Sequence, residues 1–265
     1  MTDHRRARIG ATALCLGFAV LYFIILLTAL HAVGTDADLY YSEQMKAGIL
    51  PASGISEEAL RKLDAGLSDY LRGTERQAEM GGTVCPVIEV FGAEQPAFHE
   101  KEMTHLADCA ALFDLLRNVR SRLIPWAVLL IVGGAYLLQD RRRARLCAWL
   151  SPLILLVPLG AFALYAALNF DAAFTLFHRV LFRNDLWLLD PRTDLLIRIC
   201  PASMFLHMGV RIGAYSLIGI LAVSAAATAL TFIWPKRKED NSWNNRDMRG
   251  GSAQKRITFG RTDMR

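Results

Sequence analysis

Hydrophobic positions in this chain gather into four long blocks instead of alternating with polar ones. Uncharged runs cover residues 9–35, 123–139, 146–170 and 212–235, with lengths of 27, 17, 25 and 24 residues. A bilayer core about 30 Å thick takes roughly 20 apolar residues as a helix, because a backbone group left unpaired in lipid costs several kcal/mol. The pattern therefore predicts four transmembrane helices over those ranges, the second of them short. Trp126, Trp149 and Trp234 fall near block ends, the level of the interfacial aromatic belt. The first block follows Arg5, Arg6 and Arg8 as a signal peptide would. It is longer than a secretory apolar core and no Ala-x-Ala site follows it, so it reads as a retained helix.

Two polar stretches separate the blocks. In the first, 36–122, Ser56 is placed to cap a helix that continues through Leu63, Leu67 and Leu71 at helical spacing. Residues 84–91 read as a short strand after a Gly81-Gly82 turn. Residues 100–119 read as a helix with Met103, Leu106, Ala110 and Phe113 on one stripe, in line with the second block, and Pro125 predicts a kink there. In the second stretch, 171–211, Phe174, Phe177, His178, Leu181 and Phe182 recur at helical spacing, the pattern of an amphipathic helix at the membrane interface. A turn at Trp187-Leu188-Leu189-Asp190-Pro191 and the segment Asp194-Leu195-Leu196-Ile197 follow. Residues 236–265 are too polar to build a core and are expected to be disordered. The fold class expected is an all-α polytopic membrane protein, four transmembrane helices with a small mixed α/β extracytoplasmic domain.

Charge orients this arrangement. Residues 1–8, 140–145 and 236–265 carry +2, +3 and +5, whereas 36–122 carries −6 and 171–211 carries +1. The basic segments belong on the cytoplasmic side. Both termini and the 140–145 turn are thus expected inside, and the two long loops outside. The net charge of +5 then reflects orientation and contact with anionic membrane lipids, and nucleic acid is not an expected partner. Cys15 and Cys147 lie in or beside the first and third blocks. Cys85, Cys109 and Cys200 are external, so at most one pair among these three can form, with Cys85 to Cys109 or to Cys200 both open.

Candidate chemistry is sparse. No G-x-S-x-G elbow, Walker loop or Rossmann glycine pattern is present. His99 and His105 are six residues apart, whereas a zincin needs histidines four apart on one helical face, so no metal site is expected. Glu102, His105 and Asp108 share a helix face at intervals of three, bringing a carboxylate within reach of the imidazole on either side. The same spacing also suits a solvated charged face. His178 sits among phenylalanines, either as an interfacial ring or as a proton carrier at an apolar–aqueous boundary. Arg179, Asn184, Asp185 and Asp194 are nearby polar groups, open to headgroup binding or to structural roles.

Taken in order, these motifs resemble a known family. Glu102-x-x-His105-x-x-Asp108 precedes the second block and Phe177-His178 follows the third. Asn184, Trp187-x-Leu189-x-Pro191, Asp194-x-Leu196-Ile197 and Pro201 come after. With the four-block topology they resemble the bacterial lipoprotein intramolecular transacylase family. The resemblance implies an enzyme of the bacterial plasma membrane, with an extracytoplasmic active site. It would act on a lipoprotein carrying a diacylglyceryl group on its N-terminal cysteine. One acyl chain would move from the glyceryl 2-oxygen to the cysteine α-amine, giving the lyso form, without cofactor or metal. His105 and His178 would be the catalytic pair and Glu102 and Asp108 its orienters, with Asn184, Trp187, Asp194 and Arg179 as orienting or substrate-binding residues. Two other readings stand beside it: an acyltransferase working between two lipid molecules, and a non-catalytic sensor or scaffold with an external binding domain.

Overall fold

The computed structural model describes residues 3–73 and 85–233. The expected Gly81-Gly82 turn, Val84 at the start of the expected strand, Trp234 and the 236–265 tail lie outside them. The described elements are α1 (Asp3–Gly34), α2 (Ala37–Lys46), α3 (Leu50–Ser53), α4 (Glu57–Arg72), β1 (Val87–Val90), β2 (Ala93–Pro96), α5 (Glu100–Leu138), α6 (Arg141–Leu150), α7 (Leu153–Leu168), α8 (Phe170–Leu181), α9 (Leu195–Ile199) and α10 (Ala202–Ile233). Among the described residues, four stretches are long and apolar enough to cross a membrane: α1, α5, the α6–α7 run Arg141–Leu168, and α10. Ile154, Val157 and Leu168 are largely exposed, and α7 buries none of its residues, as side chains facing hydrocarbon require. This is a membrane protein.

Helices α1 and α5 run antiparallel in backbone contact. A Cβ on Gly10 would lie 2.5 Å from the Leu138 amide nitrogen, and one on Gly134 would lie 2.5 Å from that of Leu14. Lipid tails are as apolar as leucine, so helices in a bilayer gain from such close approach and from hydrogen bonds across the contact. Tyr22 supplies the hydrogen bonds. Its hydroxyl, fully buried, lies 2.7 Å from the Ala148 carbonyl of α6 and 2.9 Å from Ser224 Oγ of α10. One phenol thus ties three spans together. A second apolar cluster joins Leu60, Leu63 and Leu67 of α4 to Phe98, Leu106 of α5 and Leu195 of α9. Buried Glu43 links α2 to α10: Lys46 reaches it at 2.8 Å, and His207 and Arg211 of α10 also face it.

Several boundaries differ from expectation. The second block is the end of a single 39-residue helix, α5, which runs from Glu100 on past Pro125 without a break, so the polar stretch before it and the span are one continuous helix. The third block is not one helix over 146–170. It starts at Arg141, capped by Asp140, whose carboxylate accepts from the amides of Arg142 and Arg143 at 2.9 and 3.1 Å. It breaks at Ser151-Pro152, because Pro152 has no N–H to continue the ladder. The 140–145 turn therefore shrinks to Gln139 and Asp140. Likewise α10 begins at Ala202, ten residues before the fourth block. The strand is Val87–Val90, and it has a partner, β2, that the pattern did not announce: Val90 pairs with Ala93 across Phe91-Gly92. Both turn residues have positive φ, 51° and 83°, as a two-residue primed turn demands. Among the cysteines, Cys85, Cys109 and Cys200 are free thiols, and the bond instead joins Cys15 of α1 to Cys147 of α6. Ser56 does cap α4, accepting from the Ala59 amide at 3.1 Å.

Replacing Gly134 with leucine should force α1 and α5 apart. Overpacking of this kind costs about 1–3 kcal/mol. A Cβ at neighbouring Gly133 meets nothing within 4 Å, so Gly133→Leu should be tolerated. Thermal unfolding of the two variants in detergent, followed side by side, measures the difference.

Candidate active site

Helix α5 carries Glu102, His105, Asp108 and Cys109 along one side, and α8 delivers His178 near its C-terminal end. Asn169 starts α8 by accepting from the Ala172 amide at 3.1 Å. The two imidazoles come together with centroids 6.0 Å apart and planes inclined at 38°. Each histidine is only 7% exposed. Aromatic rings enclose them. Phe174 lies 4.0 Å from the His178 ring, Trp187 stacks on it at 4.9 Å and 29°, and Phe182 meets the His105 ring edge-on at 5.0 Å.

Hydrogen bonding distinguishes the two rings. His178 Nδ1 lies 2.8 Å from the Phe174 carbonyl oxygen. A carbonyl only accepts, so Nδ1 holds the proton of the neutral ring and Nε2 presents a bare lone pair. His105 Nδ1 is buried with no hydrogen-bond partner, and its Nε2 faces Cys109 Sγ at 3.7 Å. His105 lies in the charged part of α5, well before its uncharged run 123–139, and His178 lies in α8, outside the four candidate spans. Burial holds both below the ordinary histidine range. His105 falls to about 4, chiefly through burial and then through neighbouring His178, with Asp108 acting in the opposite sense. His178 is lowered by burial, against the pull of the Phe174 carbonyl. Both imidazoles are therefore neutral at neutral pH.

The flanking carboxylates are engaged differently from the simple pattern of two acids bracketing one ring. Glu102, fully buried, accepts from the His99 amide through Oε2 and from the Leu196 amide through Oε1, both at 2.7 Å. It binds the starts of α5 and α9 together and does not hydrogen-bond His105. Asp108 accepts from Asn184 Nδ2 at 2.8 Å, which ties the segment after α8 to α5 one turn beyond His105. The Lys101 ammonium donates to the Leu188 carbonyl and secures the same segment. Asp194 holds the turn before α9, accepting from the Asp190 amide at 2.8 Å and the Thr193 hydroxyl at 2.9 Å. Trp187 is brought onto His178, as described. Arg179 is exposed on α8, and no hydrogen bond connects it to either histidine. Lys101 is not singled out in the sequence, and Cys109 is read there only as a possible disulfide partner. Cys109 stands four residues after His105 on a helix, and that spacing was the available signal.

Histidine nitrogen NMR should show a neutral His105 down to about pH 5, below the ordinary value of about 6.5, since its folded-state value is about 4. Glu102→Gln places an amide group against one of the two N–H donors. Leaving such a buried donor unsatisfied costs about 1–3 kcal/mol, so the variant should melt earlier and lose activity together.

Residues 15–205 match the family model described as lipoprotein intramolecular transacylase Lit. Solved structures share the fold. One, the membrane integral lipoprotein intramolecular transacylase Lit from Bacillus cereus, is 21% identical with a TM-score of 0.56, covering 93% of this chain and 100% of that one. Another, a variant of the Bacillus cereus protein with a histidine-to-arginine substitution, is 22% identical with a TM-score of 0.55, covering 93% and 95%. No curated protein sequence matches. The structural likeness speaks to the fold, while the family model spans well over half of the sequence and includes both histidines. The chain belongs to the lipoprotein intramolecular transacylase Lit family.

Proposed function

We propose that this protein moves one acyl chain within a diacylglyceryl-modified lipoprotein, from the glyceryl 2-oxygen to the α-amine of the N-terminal cysteine, and that His105 and His178 carry the reaction. The observation behind this reading is the pairing of two neutral, buried imidazoles, one from α5 and one from α8, in an aromatic enclosure. An α-amine has a reference pKa of about 7.7–8.0 and is mostly protonated at neutral pH. A neutral imidazole beside it removes that proton, a contribution typically worth about 10²–10⁴-fold. The second imidazole polarises the ester carbonyl or serves the leaving glyceryl oxygen. Amine and ester belong to one molecule, so little translational entropy is lost in bringing them together. The bare Nε2 of His178 favours it as the base.

The remaining groups act around that pair. Glu102 and Asp108 with Asn184 hold the two supporting segments in register, and Asp194 fixes the turn leading into α9. Trp187 covers one face of His178. Arg179 is free to meet a lipid headgroup. In this reading α2–α4, the hairpin and the polar part of α5 form a small extracytoplasmic domain, the histidines face the outer leaflet, and both termini are cytoplasmic. The charge asymmetry of the segments supports that orientation.

The test is expression in a bacterium that makes diacylated lipoproteins, followed by mass spectrometry of N-terminal lipopeptides. The expected product is N-acylated and S-monoacylglycerylated at unchanged total mass, because the acyl group only migrates. A mass gain of one acyl chain would instead mean transfer between molecules, and unchanged lipopeptides from a well-expressed protein would mean no transacylation. His105→Ala and His178→Ala should each lower product formation by about 10²-fold or more, with the protein still in the membrane. Full activity in either variant would remove the two-histidine mechanism.

A further inference from the structure

The two histidines differ in what surrounds their nitrogens: the Phe174 carbonyl meets Nδ1 of His178, whereas Cys109 faces Nε2 of His105. We infer that Cys109 is a positioning residue: its S–H donates to His105 Nε2, fixes His105 as the Nδ1–H tautomer, and so makes His105 the hydrogen-bond donor to the ester carbonyl while His178 acts as the base. The inference rests on the two-histidine reading of the site.

Three observations carry it. Cys109 Sγ lies 3.7 Å from His105 Nε2, within reach of a sulfur hydrogen bond. Cys109 sits one helical turn after His105, so the contact is built into α5 itself and does not depend on loop placement. Burial pushes the thiol up to about 12, so sulfur keeps its proton and has a donor to offer. An imidazole nitrogen is a far better acceptor than a thiol sulfur, so the proton between them stays on sulfur. His105 then carries its own proton on Nδ1, and that nitrogen is buried without a partner in the protein. A buried donor left unsatisfied costs about 1–3 kcal/mol, a penalty that is relieved when a substrate oxygen arrives. A neutral imidazole is suited to this task, because it can donate a hydrogen bond to a developing oxyanion without first giving up a proton.

The proton movements balance. The ammonium of the α-amine first gives one proton through His178 to water, leaving a neutral amine and a neutral His178. As the amine nitrogen then bonds to the ester carbonyl carbon, its second proton passes to His178 Nε2. The bond from that carbon to the glyceryl oxygen then breaks, and the oxygen receives the proton from His178. His105 Nδ1–H holds the carbonyl oxygen throughout and loses nothing. The products are the amide and the free glyceryl hydroxyl, with both histidines returned to their starting state.

The experiment uses the full-length protein in lipid nanodiscs, with ¹⁵N-labelled histidine, and a synthetic diacylglyceryl lipopeptide as substrate. Nitrogen shifts report which ring nitrogen of His105 is protonated, and the rate of acyl migration is followed in parallel. The wild type should show Nδ1–H for both histidines. Cys109→Ala should populate both His105 tautomers and slow migration by about tenfold, the effect of one lost hydrogen bond. Cys109→Ser, which restores a donor of similar size, should recover the single tautomer and most of the rate. Melting temperatures of the variants separate these effects from loss of fold. A His105 that carries its proton on Nε2 in the wild type overturns the inference. So does a Cys109→Ala variant with unchanged shifts and rate while His105→Ala is inactive, in which case the two-histidine reading survives alone. An active His105→Ala removes that reading, and this inference with it.

Discussion

The backbone contact between α1 and α5 governs the placement of nearly everything else. Gly10, Gly17 and Gly134 leave no side chain between the two helices, so α5 has one register against α1. Because α5 is one unbroken helix of 39 residues, that register is carried along a helix about 58 Å long at 1.5 Å per residue. Leu138 at one end packs against Gly10, and Glu102 and His105 at the other end are positioned by the same helix. The hydrogen bonds of Tyr22 then fasten α6 and α10 to α1. Small residues and buried hydrogen bonds matter here because lipid supplies no hydrophobic force to hold helices together, and the Cys15–Cys147 bond adds a covalent tie between α1 and α6.

At the far end of α5, one carboxylate has a large effect. Glu102 gathers the His99 amide at the cap of α5 and the Leu196 amide at the start of α9, 94 residues further along the chain, onto its two oxygens. The bond from Asn184 to Asp108 and that from Lys101 to Leu188 pin the intervening segment. With both ends fixed, Trp187 and Phe182 are held against the histidines. The aromatic enclosure in turn removes water from the imidazoles. That lowers their basicity and keeps them neutral, the form in which a histidine can accept a proton from an amine or donate one hydrogen bond to an ester. Each layer of structure thus prepares the next: helix register, segment anchoring, ring enclosure, protonation state.

Such a site is matched to chemistry in which nothing has to be captured from solution. Both reacting groups of the proposed substrate arrive on the same lipid-anchored molecule, so the proposed mechanism asks the protein for no more than two well-placed nitrogens.

What the sequence determined by itself was whatever lipid and local helix geometry impose. The four spans could be read because a bilayer demands length and apolarity, and the α4 cap because Ser56 acts on a residue three positions away. The helix carrying the stripe from Phe174 to Phe182 could be read because helical spacing is local too, but of that stripe only His178 and Phe182 are buried, while Phe177 and Leu181 are exposed. Tertiary structure decided the rest. The acceptors and donors of Glu102, Asp108 and Asp194 could not be read from spacing, because a carboxylate three residues from a histidine has equal access to amides brought in from elsewhere. The hairpin went unseen because Phe91-Gly92 is not the usual pair for a turn with positive φ at both positions. The bond between Cys15 and Cys147, 132 residues apart, required α1 and α6 to be packed first. The residues of the site were legible one by one. Their meeting at 6.0 Å was not, because that distance is set by contacts among α1, α5, α8 and α9 and has no counterpart in local spacing.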